Sequence, residues 1–171
     1  LVPVAGDGDP AANPNAPTYA AFRGVTSYEN GNHQAQNLVG RGVSQSLDAQ
    51  GNVIAVVPPG TNVRLAAYDA QSGHNIAAPF WEFLNRPGLV ATAPGQYTDG
   101  PVFSDWVFVM GHPISEPYWT NVRVSGQDKI VLVQLFERRV LTYTPSNEPT
   151  WQVEMGNVGL HYYVWRYGGE R

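Results

Sequence analysis

Apolar positions in this chain change period several times, and each change predicts an element. Thr18 to Gly24 (T-Y-A-A-F-R-G) reads as a short helix, with Thr18 as N-cap, Tyr19 and Phe22 on one face and Gly24 as stop. Residues 29–37 are a polar loop. Residues 39–57 read as a β-hairpin whose turn is Asp48 to Asn52, and Val63 to Tyr68 is a further strand. Ile76 to Asn85 is the strongest helix: Ile76, Phe80, Phe83 and Leu84 share a face, and Pro79 falls in the first turn, where no N–H is needed. Residues 91–105 read as a loop carrying Tyr97 and Phe103. Trp106 to Met110 (W-V-F-V-M) reads as a buried strand and Tyr118 to Val124 as a half-exposed one. A turn at Ser125-Gly126-Gln127-Asp128 leads into a core strand, Ile130 to Phe136.

The densest patterning runs from Gln134 to Arg166. It holds an apolar run, the Arg138-Arg139 pair, a Pro/Asn/Pro turn and a glycine-punctuated aromatic tail. Phe136, Val140, Leu141, Val158, Leu160 and Val164 are its expected core. The tail reads as a helix with Leu160, Tyr163, Val164 and Tyr167 on one face, stopped by Gly168-Gly169. Residues 1–17, rich in Gly, Pro, Asn and Ala, form no regular element by themselves. They are expected as an extended arm, either draped as a terminus or docked on a neighbouring subunit through Leu1, Val2 and Val4.

The expected fold is therefore α+β: mainly antiparallel hairpins with two or three short helices, an arm at 1–17 and one compact domain at 18–171. A loose internal similarity allows pseudo-repeats at 18–70 and 71–171. Composition agrees. The 171 residues are 43% hydrophobic, enough for a core, and the 18 Gly and 14 Pro favour short elements joined by turns.

The chain has no cysteine, which excludes disulfides, a thiol nucleophile and thiolate metal sites. A formal net charge of −4 gives no broad nucleic-acid footprint, and no apolar run reaches the roughly 18 residues of a membrane span. The chain opens Leu1-Val2-Pro3, without Met and without a signal-peptide pattern, which suggests a processed or trimmed product.

Candidate chemistry is thin. His74, His112 and His161 could supply metal ligands, but none are paired at the short spacing that lets one element present two. Each is expected to cap a turn or helix end, and His33 to be solvated; neither a metal nor a cofactor is expected. A glycan-acting hydrolase would need two opposed carboxylates, drawn from Glu82, Asp105, Glu116, Glu137 and Glu154. Nucleophile and phosphate-loop motifs are missing. The aromatics carry the strongest signal. Aromatic faces stack on sugar rings, and Trp and Tyr keep a polar tip for hydrogen bonds. Trp81, Trp106 and Trp165 are expected in the core. Tyr118 and Trp119 should face opposite sides of a strand, so that only one is core. Trp119, Trp151, Tyr118 and Tyr97 are the candidate ligand-binding residues.

Four segments also carry a resemblance. G-H-P-I-S-E-P-Y-W (111–119), V-L-V-Q-L-F-E-R-R-V-L-T-Y-T-P (131–145) and W-Q-V-E-M-G-N-V-G-L-H-Y-Y-V-W-R-Y-G (151–168), with S-G-H-N-I-A-A-P-F-W-E-F (72–83) before them, resemble an uncharacterised domain family of secreted and surface proteins of Chloroflexota. More loosely, Gly111 to Ser115 with Phe136 to Tyr143 is similar to the LGFP repeats of actinobacterial cell-wall proteins, although Arg139 stands where that repeat usually has Gly. The resemblance implies an extracellular or cell-surface location. The reading is then a non-catalytic module that binds cell-envelope or other carbohydrate through exposed aromatics. The alternatives are a structural subunit that self-associates through its arm, and the glycan-acting hydrolase.

Overall fold

The computed structural model describes residues 2–27 and 33–168. Leu1, the 29–32 part of the expected polar loop and Gly169 lie outside the described residues. A 3-10 helix, Tyr19–Gly24, follows Thr18, whose backbone is extended but whose hydroxyl makes no cap. Then come β1 (Ser46–Leu47), β2 (Val53–Ile54), β3 (Leu65–Asp69), β4 (His74–Ala77), α1 (Ala78–Leu84), β5 (Pro87–Ala93), β6 (Gln96–Pro101) and α2 (Trp106–Met110). The C-terminal part holds β7 (Tyr118–Val124), β8 (Gln127–Leu135), β9 (Val140–Tyr143), β10 (Val153–Met155) and α3 (Val158–Tyr167). The fold is α+β and β-dominated.

A six-stranded sheet, in the order β10-β9-β8-β7-β1-β2, is the frame. All its pairings are antiparallel except β1 with β7, which meet in parallel at Ser46 and Trp119. The β7–β8 turn is two residues long. Ser125 and Gly126 both take positive φ (51° and 75°), the primed-turn geometry that matches strand twist.

Both faces of the sheet's centre are buried, which corrects the expected half-exposed strand. Tyr118 and Val122 of β7, with Val131, Val133 and Leu135 of β8, face one cluster; Trp119 and Leu132 face another. The second cluster is covered by β3–β4, α1 and α2 through Leu65, Ile76, Phe80, Leu84 and Met110. The first is covered by the N-terminal segment itself, through Val4, Ala5, Ala16 and Phe22. Of the two alternatives for the arm, it is draped back on its own domain, and Val2 and Val4, two of the residues that would have engaged a neighbour, are buried. Asp7 and Arg123 pair backbone to backbone, along the part of β7 that β1 leaves open. The Asp7 carboxylate accepts the N–H groups of Ser125 and Gly126 (2.8 and 3.0 Å).

Three other expectations change. Trp106 to Met110 is a helical turn, not a strand, because the Asp105 side chain accepts the Phe108 N–H and caps it. Ile76 belongs to β4, which runs into α1 without a loop. Within residues 91–105, the expected loop holds β6 and the end of β5, and these two strands form a separate hairpin.

Candidate ligand cleft beside the C-terminal helix

Helix α3 forms as expected, but its orientation differs. Val158, His161, Tyr162 and Trp165 recur at helical spacing, so they share one face. That face, not the Leu160/Tyr163/Val164/Tyr167 stripe, is turned toward the body. Val158 and His161 are the half-buried residues of α3, and Val158 packs on the cluster beneath the N-terminal segment. Leu160, Val164 and Trp165, expected in the core, are exposed, Trp165 by 65%. The rings order one another instead: Tyr162 lies 5.8 Å from Trp165 and Tyr163 lies 5.3 Å from Tyr167, centroid to centroid.

Two hollows meet at this helix and share His161. On one side an apolar groove of about 430 Å³ runs between Val2, Tyr19 and Ala20 and the Val158/Tyr162/Trp165 face. On the other a cavity of about 250 Å³ opens over the sheet, where Asp7, Thr144, Asn147, Glu154 and Asn157 bring polar groups. Within that cavity Asp7 is already engaged at the β7–β8 turn, and the Gly126 and Ser125 N–H groups hold its carboxyl below the usual range. Asn147 is engaged too, accepting from Lys129 Nζ (2.8 Å) and donating to the Trp151 carbonyl (3.0 Å). Among the described residues the Glu154 carboxylate and the Asn157 side-chain amide have no protein partner. They are the groups left to meet a ligand.

His161 is half-buried beside Tyr19. Burial pushes its pKa below the ordinary histidine value, and burial pushes the Tyr19 phenol up to about 12. At neutral pH the imidazole is neutral and the phenol keeps its proton. The Tyr19 hydroxyl and His161 Nδ1 share a hydrogen bond of 2.8 Å, which leaves Nε2 as the ring nitrogen open to a ligand. One imidazole nitrogen, one carboxylate and one amide thus line the polar cavity, and the imidazole is shared with the groove of Tyr162 and Trp165.

The four sequence-predicted residues separate. Trp119 and Tyr118 are core, 1% and 6% exposed, because each face of β7 is covered; neither can stack on a ligand. Trp151 is 65% exposed at the end of a 3-10 turn, Pro149–Trp151, one hydrogen bond from the polar cavity through Asn147. Tyr97 is exposed on β6, in the separate hairpin, and lines neither hollow. Asn157 was not singled out, Trp165 was expected in the core, and His161 and Glu154 were considered only as a metal ligand and a hydrolase carboxylate. Their signal was the tail's apolar content on two stripes, more than one buried face can use. The histidines do not cap backbone ends as expected. His112 Nδ1 meets Asp69 Oδ2 at 2.8 Å, and the His74 ring lies between Ser27 and Glu116. Burial works to raise the Asp69 pKa, but the hydrogen bond from His112 and the N–H groups of Ser72 and Gln71 outweigh it and hold the carboxyl low. Among the described residues no group of three His, Cys, Asp or Glu side chains could hold a metal ion, and no helix is long and apolar enough to cross a membrane.

No protein-family model, curated protein or solved structure matches the chain.

Proposed function

We propose that this chain is an extracellular carbohydrate-binding module whose ligand lies along α3, with a sugar face on Trp165 and hydroxyls directed to Glu154, Asn157 and His161 Nε2. One observation carries the reading: an aromatic-walled apolar groove and a polar cavity with unengaged acceptor and donor groups share a wall at His161. Sugars present this combination of apolar ring faces and hydroxyl edges, and aromatic stacking with a few placed polar groups is how a concave site recognises them. Trp151 extends the surface on the far side of Asn147. Cell-envelope polysaccharide is the substrate class that the secreted-protein resemblance favours.

The test is retention on immobilised peptidoglycan and a glycan panel, followed by calorimetry on any hit. Trp165→Ala and Glu154→Gln should each weaken binding at least tenfold while the melting temperature stays within a few degrees. Unchanged retention in folded Trp165→Ala would remove the site. A second reading, a subunit of a surface assembly, draws on the outer stripe of α3, where Leu160, Tyr163, Val164 and Tyr167 face solvent. Sedimentation of wild type against Leu160→Ser/Tyr163→Ser separates the two: a monomer in both cases disposes of the assembly.

A further inference from the structure

Away from that cleft, three segments distant in sequence converge on one buried imidazole. Ser27 Oγ lies 2.6 Å from His74 Nε2, and His74 Nδ1 lies 3.2 Å from Glu116 Oε1. Glu116 is held on both oxygens by Asn75: the backbone N–H donates to Oε1 at 2.8 Å and Nδ2 donates to Oε2 at 3.0 Å. We propose that Ser27, His74 and Glu116 form a nucleophile–base–acid relay that transfers small acyl groups from esters through Ser27.

The direction of every proton follows from the acceptors. Both Glu116 oxygens accept from Asn75, so in the relay the imidazole nitrogen facing them is Nδ1–H, donating to Oε1. The imidazole then carries its lone pair on Nε2, and the hydrogen aimed at it is that of the Ser27 hydroxyl. This is the arrangement that activates a serine: a base within hydrogen-bond reach, oriented by a third group. The base and acid are held firmly. His74 is 0% exposed and begins β4. Gln134 Nε2 donates to both the Asn75 and Ser115 carbonyls, tying β4 to the segment that carries Glu116. Ser27 is anchored by its own N–H to the Ile114 carbonyl at 3.1 Å, and the residue is half-buried where His74 is fully buried.

The step balances without a cofactor. Ser27 Oγ adds to the ester carbonyl carbon as its proton passes to Nε2. The bond to the alkoxy group breaks, and the leaving oxygen takes that proton. Water then adds to the acyl-serine, gives a proton to Nε2, and the Oγ–acyl bond breaks as Oγ recovers it. Ester and water become acid and alcohol. Complete burial of the imidazole leaves access from the Ser27 side alone, which favours a short acyl chain. Because the Ser27 N–H is already donated to Ile114, it does not serve the oxyanion, so acylation of Ser27 is a more direct readout than turnover.

The experiment is covalent labelling of the whole protein with a fluorophosphonate probe, with sites mapped by peptide mass spectrometry, alongside p-nitrophenyl acetate. The expected result is an adduct on Ser27 formed faster than on any other serine, with a burst of p-nitrophenol near one equivalent. His74→Gln should slow labelling by roughly a hundredfold or more. An unlabelled Ser27 in wild type, or label spread evenly over exposed serines, overturns the proposal whether or not the variant folds. A Ser27 adduct formed equally fast in folded His74→Gln also overturns it, and leaves the three residues as a structural clamp.

Discussion

Asn13→Ala tests the placement of the N-terminal segment at its most connected side chain. Asn13 is 2% exposed. Its Nδ2 donates to the carbonyls of Ala5 and Asp7, both at 3.0 Å, and its Oδ1 accepts the Arg123 N–H at 2.7 Å. Alanine removes all three bonds and leaves the backbone groups behind. One of them, the Ala5 carbonyl, is buried, and the other two are partly so. At about 1 kcal/mol net for each bond, with more where a buried group is left unpaired, the loss is about 2–4 kcal/mol. For a chain of this size that corresponds to a fall in melting temperature of roughly 5–15 °C. Calorimetry and urea unfolding should agree, with a lower midpoint and an unchanged slope. Asn37→Ala is the control: that side chain serves only an exposed local bond to Val39 and should change stability by less than about 0.5 kcal/mol. If Asn13→Ala melts within a degree of wild type, the segment does not cover the sheet and the two-faced core is wrong.

Gly6 has φ of +78°, and a Cβ there would lie 2.3 Å from the Arg123 carbonyl oxygen; Gly6→Ala should cost about 2 kcal/mol or more, read as a lowered urea midpoint. Trp119→Ala should cost about 3–5 kcal/mol, whereas Trp165→Ala should cost under about 1 kcal/mol and remove glycan retention, so paired melts and binding assays distinguish core from surface. His161 has a folded pKa below its unfolded one, so the unfolded chain binds the extra proton. Its contribution is fully present above pH 6.5 and is lost as pH falls through the lowered folded value. Urea midpoints between pH 5 and 8 should therefore fall more steeply on the acid side in wild type than in His161→Gln.

The sheet was legible because its signals agree. Apolar alternation, the Ser125-Gly126 turn and the run from Ile130 to Phe136 all point to one antiparallel pair, and β7 and β8 form it. The short hairpin of β1 and β2 was legible from Asp48, whose carboxylate takes the N–H groups of Gln50 and Asn52 in the turn. The β5–β6 hairpin was not. Its strands hold no fully buried residue, so no core position marks them, and Pro94-Gly95 resembles any loop punctuation. Trp106 to Met110 has the composition of a strand, and one cap from Asp105 reverses it. The site was partly legible. Trp151 could be placed at an edge because prolines flank its loop. Trp119 could not be placed, since its burial depends on α1 and the β3–β4 hairpin closing over it from a distance.

The placement of the N-terminal segment and the candidate site have one cause. A proline- and glycine-rich start has no periodicity, so a pattern-based reading leaves it outside the domain. Its contacts are made residue by residue: Val4 fills the core, Asn13 bridges to β7 and Asp7 caps the β7–β8 turn. Once it covers that face, it also supplies the wall against which α3 lies, since Val2, Tyr19 and Ala20 face Val158, Tyr162 and Trp165 across the groove. The cleft is therefore built from two ends of the chain that meet only in the folded state. A ligand held there binds the folded chain alone, and binding must raise stability. At a free ligand concentration one hundred times Kd the gain is about 2.7 kcal/mol. A glycan that is retained on the protein yet leaves its melting temperature unchanged at that saturation is bound somewhere other than this cleft.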